Sequence, residues 1–440
     1  MRISVIGCGY LGAVHAAAMA DLGHEVIAID VDDAKIALLS AGKTPFYEPG
    51  LPEILTTSLA SGRLSFTTDI SLAKGSNVHF IAVGTPQSAD SNAADMRFVN
   101  AAVTALIPHL SDSDLVVGKS TVPVGTAARL QEMIATSGSA AALAWNPEFL
   151  REGHAVTDTI SPDRLVYGVA PGPRKDAAVS TLNAVYATAI AAETPVVVTD
   201  LATAELVKIA ANSFLATKIS FINAMSEITD AVGANITELA DAIGYDNRIG
   251  RRFLNAGVGF GGGCLPKDIR AFVARAEELG RGESVAFLSE MDAINKRQRT
   301  RVANLVLGAA ASVDVELTSA RVAVLGLAFK PLSDDVRDSP ALDVALKLNA
   351  LGADVIAYDP EANGPARLRF PALVTAETLD EVLTGADVIV LVTEWPEFIA
   401  LDPERVAGLV SHRAIVDARN VLDADRWRAA GFTFVGMGRP

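Results

Sequence analysis

Cysteine is almost missing: there are two in 440 residues. Two cannot build a disulfide scaffold, and they do not resemble a zinc-binding set. Basic charge is also in short supply. Thirty-seven Lys and Arg against 52 Asp and Glu leave a net charge of −15 and a pI near 4.9. Nucleic-acid and anionic-membrane surfaces need a basic patch, so the balance argues against both partners. Any bound phosphate must then be held by backbone amides and a few local cations. Short-period repeats and low-complexity tracts are missing too. Residues 3–20 carry no formal charge, which meets the bare length of a membrane helix. The glycines at 7, 9 and 12 and the β-branched run before them fit a strand, a turn and a helix better. The lipoprotein-like Val5-Ile6-Gly7-Cys8 is preceded only by Arg2, too short a basic region for a signal peptide. No later stretch would span a membrane, and free thiols point to a reducing cytoplasmic compartment. Apolar residues, in contrast, make up 50% of the chain, so large cores can form and wholesale disorder is ruled out. The length suggests two to three domains.

Short β-rich runs alternate with helical ones in the first part of the chain. Ile3–Ile6, Val26–Ile29, Val78–Val83, Leu115–Val117 and Leu143–Trp145 read as strands, and Ala13–Leu22 and Met96–Leu110 as helices. The alternation predicts a parallel, doubly wound sheet, finished near residue 200 by Leu165–Val169 and Val196–Val198. From Ala202 to Val232 the chain reads as one amphipathic helix, about 45 Å long at 1.5 Å per residue. Its apolar positions are Leu206, Ile209, Ala210, Phe214, Ile219, Ile222, Met225 and Ile228. It is either a buried interdomain spine or a spine that also supplies a dimer interface. A second α/β pattern starts near Arg321, with strands Val322–Leu325, Val355–Tyr358, Val388–Val392 and Ala414–Val416. Ser339-Pro340 is an N-cap followed by proline at the first helical position. The expected class is α/β: two Rossmann-like doubly wound domains (1–200 and 315–440) joined by a central helical domain (201–300).

Gly7-Cys8-Gly9-Tyr10-Leu11-Gly12 is a G-x-G-x-x-G run that follows a strand and opens a helix. Gly7 permits the tight turn, Gly9 lets a pyrophosphate approach the backbone, and Gly12 allows close helix–strand packing. The helix N-terminus offers amides and positive dipole to phosphate. Asp30 ends the second strand, where its carboxylate would accept the adenosine ribose hydroxyls and repel a 2′-phosphate. NAD is therefore expected over NADP, with Lys35 close by as a weaker counter-signal. Gly84-Thr85-Pro86 and Ser120-Thr121-Val122-Pro123 follow strands of the same sheet and should border the nicotinamide ribose. Cys8 fills a variable slot of the fingerprint and is expected to be simply packed.

Residues 257–263 contain five glycines in seven positions, followed by Cys264-Leu265-Pro266-Lys267-Asp268. Such a run is neither stable helix nor stable strand, and lets backbone approach a ligand closely. Pro266 should start a helix to about Leu279, leaving Cys264 at its cap, where the dipole and nearby Lys267 favour a thiolate. A nucleophilic cysteine beside a nicotinamide site implies more than alcohol oxidation. A thiolate can add to an aldehyde, the thiohemiacetal can lose a second hydride, and water can hydrolyse the thioester to a carboxylate. That is a four-electron oxidation of a primary alcohol to an acid with two NAD.

At these residues the chain resembles the UDP-glucose/GDP-mannose dehydrogenase family of nucleotide-sugar dehydrogenases. The matching segments are Gly7–Gly12, Thr44–Leu51, Ser120–Thr126, Asn146–Gly153, Glu205–Asn212, Phe253–Asp268 and Phe329–Pro340, spread over nearly the whole chain. The resemblance implies a cytoplasmic NAD-dependent enzyme, a dimer built on the central helices, and a C-terminal domain that binds UDP. It implies Cys264 as nucleophile and Glu148 as the carboxylate directing water onto the thioester. Lys208 and Asn212, one helical turn apart, would hold the sugar and stabilise the developing oxyanion. Asp268 would assist proton transfer. By the same resemblance Phe149, Leu150, Arg151 and Glu152 form a substrate strip with Glu148, and Glu152 also lies near NAD, as do Lys267 and Arg337. Phe253, Leu254, Asn255, Ala256, Gly257 and Gly261 would border the sugar nucleotide, with Lys330 and Arg419. Arg248 would reach a neighbouring subunit's substrate. No metal is implied. Ser161–Val166 resembles the UDP-glucose branch rather than those acting on UDP-N-acetylmannosamine or GDP-mannose. Two other readings remain: a two-electron dehydrogenase of the 6-phosphogluconate type, which would not need Cys264, and a non-catalytic nucleotide sensor.

Overall fold

A computed structural model describes residues 1–439. The chain divides into two compact units. The first comprises Met1–Ala211 with Arg270–Gly282, and the second Asn212–Ile269 with the chain from Glu283 onward.

The first unit is built on eight strands: β1 (Arg2–Ile6), β2 (Glu25–Ile29), β3 (Leu64–Thr67), β4 (Val78–Ile81), β5 (Leu115–Gly118), β6 (Ala142–Trp145), β7 (Leu165–Val169) and β8 (Val196–Thr199). Their order is β3-β2-β1-β4-β5-β6-β7-β8, so it reverses at the β1/β4 edge, where such sheets bind ligands. Every pair is parallel except β6 with β7, which is antiparallel. This corrects the expectation of an all-parallel sheet. The link from β6 to β7 carries one short helix, Ala155–Ile160, in place of a full crossover. Strand β3 is absent from the reading of the sequence because only Leu64 of its four residues is buried. Sheet and helices enclose two apolar clusters, one around Val5, Val14 and Phe80 and the other around Ile81, Leu130 and Trp145.

The second unit carries a six-stranded, wholly parallel sheet: β9 (Arg321–Leu325), β10 (Asp354–Tyr358), β11 (Val374–Thr375), β12 (Val388–Leu391), β13 (Ala414–Asp417) and β14 (Thr433–Gly436), in the order β11-β10-β9-β12-β13-β14. β11 and β14 are edge strands with few buried side chains, which is why hydrophobic pattern alone misses them. Ser339 caps helix Pro340–Ala350, accepting from the Leu342 amide at 3.3 Å.

Helix Leu201–Val232 runs unbroken for 32 residues, beginning in the first unit and ending in the second. Its buried positions include Glu205, Lys208, Asn212, Ser213, Ser220, Asn223, Ser226 and Thr229, while Leu206, Phe214, Phe221 and Ile228 are exposed. Of the apolar positions read from the sequence, Leu206, Ala210, Phe214 and Ile228 are exposed while Ile209 and Ile222 are buried, so the helix is not a wholly buried spine. No helix among the described residues is long and apolar enough to cross a membrane.

Candidate active site

The glycine fingerprint forms the turn between β1 and helix Tyr10–Asp21. A Cβ on Gly12 would lie 1.8 Å from the Gly7 carbonyl oxygen, so helix and turn could not meet around any larger residue. A Cβ on Gly9 would meet nothing within 4 Å, leaving the backbone open to an approaching phosphate. Gly9 is the helix N-cap and supplies no side chain, so the first-turn amides receive no side-chain cap. Asp30 accepts from the Cys8 amide at 2.7 Å and from Lys35 Nζ at 3.0 Å, which ties the loop to the end of β2. These residues fit the ribose and pyrophosphate of a dinucleotide. Cys8 is fully buried, and burial together with the Asp30 carboxylate pushes its thiol far up.

Two turns beyond the strand ends are tied together. Thr85 Oγ1 donates to the Thr121 carbonyl at 2.8 Å, and Ser120 Oγ to the Val83 carbonyl at 2.7 Å, with Pro86 following directly. Glu205 reaches this region from the long helix. Its carboxylate accepts the Gly125 and Ala127 amides at 2.7 and 2.6 Å, capping helix Thr126–Thr136. Glu48 acts in the same way. It accepts the Gly153 and Ala155 amides at 2.6 and 2.7 Å and the Tyr10 hydroxyl, so it locks the Glu152–Gly153 turn to the fingerprint helix. Glu152 is buried there. Leu11 packs partly buried against the same core. Neither Glu48 nor Glu205 was assigned a role by the sequence; buried acids spent on amides leave no periodic signal.

In the first unit, Glu148 follows Asn146-Pro147 past the end of β6. Its carboxylate pairs with Lys208 Nζ at 2.9 Å and accepts the Leu150 amide at 2.8 Å. Both side chains are largely buried, so the pair is poorly screened. Phe149 lies under the Arg164 guanidinium, 3.7 Å from ring centre to Cζ. Arg151 instead points to Asp158, with two bonds of 2.9 and 2.7 Å.

In the second unit, Cys264 is exposed immediately before helix Leu265–Glu278, and its carbonyl accepts the Asp268 amide at 3.0 Å. Asp268 is buried and held from two sides, by Lys267 Nζ at 2.6 Å and by Asn212 Nδ2 at 2.8 Å. Lys267 therefore pairs with a carboxylate rather than acting as an isolated charge for the thiol. The glycine loop before Cys264 is packed against protein: a Cβ on Gly261 would lie 2.3 Å from the Asp338 carbonyl, and one on Gly263 would lie 2.4 Å from the Arg337 guanidinium. The close approach expected toward a ligand is thus also one toward the chain itself. Gly257 donates to Asn223 at 2.8 Å, and Val258 to the Ala418 carbonyl at 2.8 Å.

Arg419 is tied into this loop. It donates to the carbonyls of Val392, Gly259 and Phe329 at 2.7, 3.2 and 3.0 Å and pairs with Glu394 at 3.1 Å. Lys330 Nζ sits 5.3 Å from the Phe329 ring centre, and Arg337 pairs with Asp335 at 2.7 Å. Phe253 adopts a left-handed φ of 65°, next to buried Leu254; Ala256 is buried as well, and Asn255 accepts from Arg251 at 2.8 Å. Arg248 is almost wholly exposed and pairs with Asp246. The Gly326-Leu327-Ala328 turn of this unit has its amides filled from within. Asp359, fully buried, accepts Leu327 and Ala328 at 2.7 and 2.9 Å and Trp395 Nε1 at 3.1 Å. An acid so committed has no oxygen to spare for a ribose.

Family models match in three consecutive blocks: the UDP-glucose/GDP-mannose dehydrogenase NAD binding domain over residues 1–190, the central domain over 202–297 and the UDP binding domain over 323–424. The chain is 41% identical to a UDP-glucose 6-dehydrogenase of Rhizobium meliloti, with both chains covered in full. It is 38% identical to the UDP-glucose 6-dehydrogenase TuaD of Bacillus subtilis, over all of this chain and 93% of that one. Among solved structures, a UDP-glucose dehydrogenase from Pyrobaculum islandicum aligns with a TM-score of 0.88 at 37% identity, covering 100% of this chain and 98% of the other.

Proposed function

The chain belongs to the UDP-glucose/GDP-mannose dehydrogenase family, and from that premise we propose that it oxidises UDP-glucose to UDP-glucuronate with two NAD. The observation that carries the reading is the contrast between its two thiols, Cys264 exposed at a helix start and Cys8 sealed in the core. Relatives about 40% identical over their full length and named UDP-glucose 6-dehydrogenase support the choice of sugar, as does the Ser161–Val166 segment.

NAD, held by Gly7–Gly12, Asp30 and the Thr85 and Ser120–Thr121 turns, supplies the hydride acceptor in both oxidative stages. The chain's own residues do the rest. The Cys264 thiolate, favoured by the helix dipole, adds through Sγ to the carbon of the aldehyde. Lys208 and the Asn212 amide stabilise the oxyanion that develops on the former carbonyl oxygen. Once the thioester has formed, water adds to its carbonyl carbon and gives its proton to Glu148. The carbon–sulfur bond then breaks, returning the electron pair to Sγ and releasing the carboxylate. Asp268, held between Lys267 and Asn212, is the proposed relay for the alcohol proton. The residues assigned to the sugar nucleotide from Phe149 to Arg419 keep that role in the proposal.

The three family blocks divide the labour as NAD binding, catalytic helices and UDP binding. A second copy of the chain is the proposed partner through the outward apolar stripe of the long helix. The cytoplasm, where Cys264 stays reduced, is the proposed location. Incubation with NAD and a panel of nucleotide sugars tests the reading. Two NADH per UDP-glucose consumed are expected; one per sugar, or turnover only of UDP-N-acetylmannosamine or GDP-mannose, would overturn it.

A further inference from the structure

Beside Glu148 lies a buried cation with no part in the scheme above. Lys119 directly follows β5, and its amide donates to the Ile81 carbonyl at 3.0 Å. Its side chain turns inward and is 7% exposed. Nζ donates to Asn146 Oδ1 at 3.1 Å and to the Tyr186 hydroxyl at 3.2 Å. The Tyr186 hydroxyl also donates to Asn146 Oδ1 at 2.6 Å, and Asn146 Nδ2 donates to the Val166 carbonyl at 3.0 Å. Nζ stands 5.7 Å from the ring centres of both Phe80 and Tyr186. All of these partners are neutral, which is unusual for a buried ammonium. Asn146 heads the Asn146-Pro147-Glu148 turn. Its amide is held at every side-chain atom that can bond, and Pro147 fixes the next φ. The geometry of Glu148 is therefore inherited from the Lys119–Asn146–Tyr186 cluster.

Several charged and titratable groups surround Lys119, which lines a cleft together with His15, Asn146 and Glu148. Glu148 raises its affinity for a proton, whereas Lys208, from the long helix, lowers it. His15, from the fingerprint helix, is fully buried with both ring nitrogens unpartnered, and burial and the Lys119 charge hold it neutral. Tyr186 is pushed up by burial and stays a phenol. Asp158, Asp163 and Arg164 line the outer part of the cleft. Burial brings Lys119 down to about 8, so the ammonium persists at neutral pH but lies close to losing its proton. Glu148 is thus faced by two lysines, Lys208 in direct contact and Lys119 behind the turn.

We propose that Lys119 is a positioning residue for thioester hydrolysis, fixing the Asn146–Glu148 turn and placing a positive charge behind the carboxylate that accepts the proton of water. The inference rests on Glu148 serving as that acceptor. Removing a positive charge from beside a general base moves the acidic limb of the step it serves to higher pH. Lys119→Met keeps length and loses charge. In single turnovers with UDP-glucose and NAD from about pH 6 to about pH 9, this variant should release NADH normally and then stall. Hydrolysis should slow by roughly tenfold or more, the acyl adduct on Cys264 should accumulate in intact mass spectra, and the acidic limb of the hydrolysis rate should move to higher pH. Lys119→Arg keeps the charge but cannot lose it in this range, so the limb should stay in place while the wild-type inflection near Lys119's own pKa disappears. Tyr186→Phe removes a neutral bond from the same cluster and should leave the acidic limb unmoved.

Wild-type hydrolysis with an unmoved limb in Lys119→Met would overturn the inference. If that variant does not fold, an inflection that persists in Lys119→Arg would do so. A limb shifted equally in Tyr186→Phe would attribute the effect to packing and overturn it as well. Glu148→Gln, measured in parallel, separates the two levels. Normal hydrolysis there removes Glu148 as acceptor and the Lys119 role with it, whereas a stalled Glu148→Gln beside a normal Lys119→Met removes only the Lys119 role.

Discussion

Environment separates the two cysteines by more than sequence position does. Cys8 has no exposed surface, and burial and Asp30 both oppose its ionisation. Cys264 is exposed at a helix start, where the dipole favours a thiolate. Iodoacetamide on the native protein should therefore label one thiol per chain, at Cys264, and two after denaturation, read by intact mass and peptide mapping. Label on Cys8 in the native state would remove the contrast on which the functional reading stands. Much of this chemistry was legible in the sequence, since glycine spacing, a cysteine before Pro266 and an Asn-Pro-Glu turn are local patterns. The partners were not. Lys119 and Asn146 are 27 residues apart, and Lys208 and Glu148 meet only through the fold. Arg419 shows the same limit: its residue type suits a phosphate, but its carbonyl contacts to Val392, Gly259 and Phe329 bind it into the glycine loop.

In the long helix, periodicity establishes existence but leaves the facing open. Thirty-two residues without a break give a strong helical signal, yet polar residues, Lys208 and Asn212 among them, occupy much of the inward face. An amphipathic pattern gives the angle between two faces; it does not say which face is covered. Glu205, on the inward face, contributes to structure. It satisfies two amides at the start of helix Thr126–Thr136, just after the Ser120–Thr121 turn. Glu205→Ala takes the acceptor from both amides, of which only the Ala127 contact is buried, and should cost about 1–3 kcal/mol, read as a lower midpoint in urea. Glu205→Gln keeps an acceptor and should lose less. Equal midpoints for wild type and Glu205→Ala would mean that water replaces the carboxylate and that the cap contributes nothing net. Edge strands β3, β11 and β14 were missed for a related reason, because few of their side chains are buried and hydrophobic runs mark only covered strands.

An outward apolar stripe needs a cover, and this one is large. Phe214, Phe221 and Ile228 are 66%, 46% and 57% exposed and recur every seven residues along the helix. Scattered apolar residues on a surface need no explanation, but an aligned series on one helix marks an interaction face. A twofold pairing of identical helices would bury the same stripe on both copies. Each phenylalanine so covered contributes roughly 1.5–3 kcal/mol, and the pair counts twice in a symmetric dimer. Losing about 6–12 kcal/mol would weaken association by at least about four powers of ten. Phe214→Glu combined with Phe221→Glu should therefore turn a dimer of about twice 45.9 kDa into a monomer by light scattering, with circular dichroism unchanged because neither side chain is in the core. Arg248, almost wholly exposed, lies on the same unit as this face. If it acts in a neighbouring copy, the double variant should lose turnover together with assembly. A variant that stays dimeric would move the interface elsewhere, and a fully active monomer would remove Arg248 from the neighbour's site.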